Sequence, residues 1–165
     1  MAVPTRAQMK AVHNVLYSPA RTKRLSQLAI EIANRMNFDP EAELQERDIR
    51  NPPGSGPNWF IAATGAVDPL VIEAAGLCDQ LAKTLLEMRS ELAKVSIPAA
   101  DKQSLLTLLD ASAASWSARG RIWRAPNASD AKKAAAEISN HFVASMEASR
   151  KARLYLKKKG ELPIR

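Results

Sequence analysis

Residues 68–95, DPLVIEAAGLCDQLAKTLLEMRSELAKV, decide the fold. Asp68-Pro69 is a helix-start signal, because an Asp side chain accepts from free first-turn amides and proline loses nothing where its N–H has no partner. Behind it Leu70, Ala74, Leu77, Leu81, Leu85, Met88, Leu92 and Val95 recur at spacings of three and four, one face of a long helix. Such a run of about 27 residues makes a rod of roughly 40 Å, and Ser96-Ile97-Pro98 closes it.

The same logic extends toward the C-terminus. A further helix opens near Pro98, with Asp101 in its positive first turn, and carries Leu105, Leu109, Trp116 and Trp123; Gly120 weakens it near its end. Ala125-Pro126-Asn127 is a tight break, and Asn127 with Asp130 primes the last helix. Its expected inner stripe is Ile138, Phe142, Ser145, Ser149, Ala152 and Leu156, and Gly160 and Pro163 end it. Residues 69 to 159 therefore read as three antiparallel helices joined by short loops.

Toward the N-terminus, Val12, Val15 and Leu16 lie on one short helical face, and Leu25, Leu28, Ile32 and Met36 on a second. Tyr17-Ser18-Pro19 separates them, Ser18 serving as cap and Pro19 as first helical residue. After Met36 the pattern stops at Asn37-Phe38-Asp39-Pro40. Residues 43–49 alternate in a manner that suits an edge strand or a short helix beginning at Pro40. Asn51-Pro52-Pro53-Gly54-Ser55-Gly56-Pro57 is a loop, and Trp59 to Thr64 form the best strand candidate. The fold class expected is mainly α: an antiparallel helical bundle with a small β-hairpin at about 43–64, inserted after an N-terminal helical hairpin. Residues 1–97 would hold the N-terminal hairpin, the turn-rich segment and the long helix, and residues 98–165 a C-terminal helical hairpin with a basic tail, all in one compact domain.

Composition supports this. Of 165 residues 46% are hydrophobic and only 5% aromatic, enough apolar content for one core, with alanine favouring closely packed helices. One cysteine, Cys78, admits no internal disulfide, and the absence of a secretory leader makes the cytoplasm the expected location. The longest apolar runs fall short of the roughly 20 residues that span a bilayer, so no membrane association is expected. Without a leader, Asn127-Ala128-Ser129 reads as a helix cap rather than a glycosylation site.

Chemistry-bearing constellations are absent from the pattern. His13 and His141 have no second ligand within helical reach, against a zinc site. Cys78 reads as a small core residue, Glu87 and Glu91 as surface charges, and the glycine loop lacks the Gly-Lys-Ser/Thr ending of a phosphate cradle. No enzyme activity, cofactor or metal is expected. The net charge of +7 is uneven: residues 1–36 and 127–165 each carry +5, whereas residues 37–100 carry −5. That polarity suits an acidic partner, nucleic acid, or head-to-tail contact between copies of the chain. Arg150, Arg153 and Lys157 share one helical face, and Lys151, Lys158 and Lys159 broaden it, as contacts for an acidic partner or phosphate. Trp59 and Trp123 are interface aromatics if exposed, and core residues otherwise.

The segment from Val12 to Pro19, the helix with Leu25, Ala29, Ile32 and Ala33, the polar strand candidate and the Trp59–Thr64 run ahead of a helix resemble small neck proteins of tailed phages, of the head-tail connector and tail-completion type. The resemblance covers about residues 5–90; residues 98–160 have no counterpart in it. It implies a non-enzymatic structural subunit in a ring at the capsid-tail junction, made in the cytoplasm of a bacterial host and incorporated in a virion. Its partners would be further copies or neighbouring assembly proteins. The alternative is a basic helical module that binds nucleic acid without sequence preference.

Overall fold

Thr5-Arg6-Ala7-Gln8 starts the first helix by a reciprocal pair of bonds: the Gln8 amide donates to Thr5 Oγ1 at 3.2 Å and the Thr5 amide to Gln8 Oε1 at 2.9 Å. In a computed structural model, which describes residues 3–36, 69–125 and 128–156, five helices follow. These are α1 (Arg6–Leu16), α2 (Pro19–Met36), α3 (Pro69–Leu92), α4 (Ala99–Arg124) and α5 (Ala128–Lys151). No strand occurs among the described residues. The expected hairpin at 43–64, the loop at 51–57 and Trp59 lie outside them.

The bundle is a succession in which α2 packs on α3, α3 on α4 and α4 on α5, with α1 also laid against α3. Cross-links at the α2–α3 and α3–α4 interfaces show the antiparallel sense, and one more ties α4 to α5. Arg21 meets Glu91 while Arg35 meets Glu73, Arg89 meets Asp110 while Arg124 meets Asp79, and Arg121 meets Glu137. The expected N-terminal hairpin is corrected here, because α1 and α2 make their main contacts with α3 rather than with each other. Their apolar faces are narrow, and α3 offers buried residues on more than one side.

One core joins α1 to α4. Val12, Leu28, Cys78, Leu92 and Leu105 are fully enclosed in it, and Leu77, Leu81, Leu85 and Met88 of the α3 stripe are buried beside them. Burial also lifts the Cys78 thiol to about 12, which leaves it protonated and unreactive at neutral pH. A second cluster of Ile122, Ala125, Ala131 and Ala134 seals the α4–α5 end, with Trp123 packed against both clusters. At the α1–α2 break the Ser18 carbonyl accepts from the Thr22 amide at 2.9 Å, which places Ser18 at the cap position.

Two expectations about helix ends change. Gly120 does not fray α4: the helix runs on to Arg124, and a Cβ at Gly120 would lie 3.2 Å from the Ala75 carbonyl oxygen. The missing side chain lets α3 and α4 approach closely. The last helix ends at Lys151 rather than near Gly160, and residues 152–155 form a turn. Tyr155 lies in that turn. Its ring is 1% exposed, its hydroxyl donates to Asp101 Oδ2 at 2.9 Å, and its amide donates back to the Ala152 carbonyl at 2.9 Å. Asp101 is thereby an enclosed carboxylate with a partner, as a buried charge requires. The Tyr155 carbonyl lies 2.8 Å from His13 Nε2; a carbonyl only accepts, so Nε2 carries the ring proton. Tyr17 donates its hydroxyl to the Leu156 carbonyl at 3.2 Å.

Removing the hydroxyl leaves the enclosed Asp101 short of a donor, so Tyr155→Phe should lower stability by about 1–3 kcal/mol at neutral pH, measured by urea unfolding. Burial, and then Asp101, hold the Tyr155 phenol above its ordinary 10, so the stability it contributes is whole below pH 10 and drains away above it. The gap between native chain and Tyr155→Phe should accordingly narrow in strongly alkaline buffer; a constant gap would contradict the assignment. At Gly76 of α3 an added Cβ meets nothing within 4 Å. Gly76→Ala should therefore raise stability by about 1 kcal/mol, through helix propensity alone, read as an increase in melting temperature.

Candidate interaction surface on the last helix

Alanine decides how α5 sits. Ala131, Ala134 and Ala148 within the helix, and Ala152 just after it, are buried against the bundle. Small side chains at a seam let two helices approach closely, and a close seam has no room for a phenyl ring. The expected inner stripe is thus turned. Ile138 packs at the seam, but Phe142 stands 61% exposed on the outer face, with Val143 at 65% and Met146 at 59%. These three occupy neighbouring positions at i, i+1 and i+4, so they form one apolar patch on a helix surface.

Cations lie on the same outer face on either side of this patch, one near it and one about 15 Å away. Lys132 lies ten residues before Phe142 and Arg150 four after Met146, both exposed, and at helical periodicity both lie on the same outer face. Neither takes part in an ion pair among the described residues, whereas Lys133 pairs with Asp130 at 3.7 Å and Lys151 with Glu147 at 2.9 Å. The Glu147 carboxyl is held below its ordinary value by the bond from Lys151. On the inner side, Arg121 of α4 lowers Glu137 in the same way.

The expected basic face changes in shape. Arg150 and Lys151 close α5, but Arg153 falls in the turn that buries Tyr155, so Arg150 and Arg153 do not share one helix. Arg153 is exposed; Lys157, Lys158 and Lys159 lie outside the described residues. Trp123 is partly buried and packed in the core, where it offers no anchor. His13 and His141 sit on different helices, and His13 serves the Tyr155 carbonyl. No group of three or more His, Cys, Asp or Glu side chains that would suit a metal ion occurs among the described residues, nor does a helix long and apolar enough to cross a membrane. Glu91 is exposed, as a surface charge, and ties α3 to Arg21 of α2.

The patch escaped the sequence reading because Phe142 fits an inward stripe with Ile138 and Ser145 as readily as an outward one. The signal that distinguishes them is the alanine series 131, 134, 148 and 152, whose spacing marks the close seam. No protein-family model, no curated protein and no solved structure matches this chain.

Side chains whose removal leaves no cavity in the core cost little. Phe142→Gln with Met146→Gln should change unfolding free energy by no more than about 0.5 kcal/mol per site, whereas Leu105→Ala, in the enclosed core, should cost about 2–5 kcal/mol. Chemical denaturation of the two variants checks both.

Proposed function

We propose that this chain is a non-enzymatic assembly protein that works through protein–protein contacts, docking by the outer face of α5. The observation that carries the reading is the contiguous apolar patch of Phe142, Val143 and Met146, each more than half exposed, with exposed Arg150 one turn beyond it. Apolar side chains at a cluster, rimmed by charge, mark surfaces that a partner covers. The cross-linked helices behind the patch hold it on a stiff support, which lowers the ordering cost of docking.

The resemblance of residues 5–90 to small neck proteins of tailed phages supplies the specific form of the proposal: a component of the head-tail junction, alongside further copies or neighbouring assembly proteins. The test is the chain's presence in purified particles, together with a Phe142→Glu/Met146→Glu variant. The variant should keep its helical circular dichroism and lose its place in the particle. A chain absent from particles and from every stable protein complex would end the reading.

A second reading rests on Arg150 and Arg153, exposed and outside any ion pair among the described residues. Two exposed guanidiniums near a basic tail suit phosphate oxygens. Under that reading a mobility shift with duplex DNA weakens steeply with salt and is lost when Arg150, Arg153 and Lys157 become alanine; salt-insensitive binding would reject it.

A further inference from the structure

Resting on the phosphate reading of Arg150 and Arg153, we infer that a nucleic-acid backbone lies across one end of the bundle, on a basic strip that α1 and the turn after α5 build together. Two hydrogen bonds fix these elements to each other: His13 Nε2 to the Tyr155 carbonyl at 2.8 Å, and the Tyr17 hydroxyl to the Leu156 carbonyl at 3.2 Å. Arg6, Lys10, His13 and Tyr17 recur at spacings of four, three and four, so one flank of α1 carries all of them. The flank that meets the turn thus also presents two cations. Lys10 stands three residues before His13, about 4.5 Å along the helix. Arg153 stands two residues before Tyr155, at most about 7 Å along the chain. Both backbones therefore lie close to the same bond, and Arg6 and Arg150 extend the strip along α1 and back along α5. All four cations are exposed and outside any ion pair among the described residues.

The described bundle is electrically lopsided. Its antiparallel order gathers the α1–α2 break, the α3–α4 turn and the turn after α5 at one end, tied by Arg21 to Glu91, Tyr155 to Asp101 and His13 to Tyr155. The described residues of that half, 6–27, 82–111 and 140–156, hold 12 Lys/Arg against five Asp/Glu. Those of the other half, 28–36, 69–81, 112–124 and 128–139, hold six against five. With every acid counted, the net positive charge of the described residues sits almost wholly at one end. Of the five acids there, Glu91, Asp110 and Glu147 are bonded to Arg21, Arg89 and Lys151, Asp101 accepts from Tyr155, and Glu87 is exposed on α3. Neither α1 nor residues 148–156 contain an acid, so Glu147, one turn before Arg150, is the acid that borders the strip on α5.

The make-up of the strip selects phosphate over protein. Protein interfaces are built round a buried apolar centre. On the α1 side the large exposed hydrophobics are Val3 and Tyr17 alone, and the Tyr17 hydroxyl is already bonded, while the Phe142 patch begins a turn beyond Arg150 on α5. Phosphate oxygens call for charge and donors instead, and cations meeting from two elements suit neighbouring phosphates of one backbone. The strip is set by the core behind it, so little ordering is needed on binding. Contacts of this kind carry no base sequence, and they weaken with salt through counterion release.

The experiment is fluorescence anisotropy of a short labelled DNA duplex with the full chain, repeated over a range of salt. Four phosphate contacts give log K against log salt a slope of about −3.6, so affinity should fall roughly a hundredfold between about 50 and 200 mM. Arg6→Ala/Lys10→Ala should reduce that slope by about two with helical circular dichroism intact, and Arg150→Ala/Arg153→Ala should do the same. Lys132→Ala/Lys133→Ala, at the other end of the bundle, should leave affinity and slope unchanged. Binding that the Arg150/Arg153 variant weakens and the Arg6/Lys10 variant does not overturns the inference while leaving the phosphate reading in place. No binding at low salt removes both. An equal loss in the Lys132/Lys133 variant overturns the inference as undirected charge, and so does equal affinity for a poly-glutamate chain of matched charge.

Discussion

A single phenol holds the two ends of the described chain to the same place. Tyr155 carries its ring into the core, gives its hydroxyl to Asp101 in the first turn of α4, and offers its carbonyl to His13 of α1. Each of these groups would be costly alone. An enclosed carboxylate without a donor loses solvation it cannot regain, and the last carbonyls of a helix need partners. Together they settle three accounts at once: the charge of Asp101, the end of α5, and the docking of α1. The turn at residues 152–155 carries the ring that bonds Asp101.

The other interfaces depend on a division of labour between alanine and arginine. Apolar seams supply the free energy of burial, in rough proportion to the area removed from water. Paired Arg and carboxylate groups at the seam margins contribute little each, since exposed pairs are worth at most about 1 kcal/mol. Their value is directional: a cross-link between Arg35 and Glu73 or Arg124 and Asp79 fits one antiparallel register and no shifted one. The same pairing gives most acids of the described surface a cationic partner. What remains outside α5 is therefore biased toward positive charge, and the patch at Phe142 sits within that field.

Much of this was legible from residue spacing. The α3 stripe from Leu77 to Leu92 appears buried as its period requires, Cys78 is a core residue, and the break at Tyr17-Ser18-Pro19 divides α1 from α2. Large aliphatic side chains at regular intervals give strong contrast against charged neighbours. Alanine gives little, which is why α5 could be assigned as a helix but not oriented, and why Phe142 was read as facing inward. Gly120 carried a local propensity cost that the approach of Ala75 overrides. The Thr5–Gln8 capping box was present in the residues but passed over, whereas the Tyr155–Asp101 bond spans 54 positions and has no local signature.

Sequence distance also gives the bundle a time order. The α3–α4 and α4–α5 contacts join consecutive helices across short turns, and such local pairings form early because little chain entropy is lost in closing them. The bond between His13 and Tyr155 closes a separation of 142 residues. It can form only when the helices between are already in register, so it acts as a final check on assembly of the core. Among the described residues α1 otherwise rests mainly on α3, and its amides should be the first to exchange with solvent deuterium in the native state.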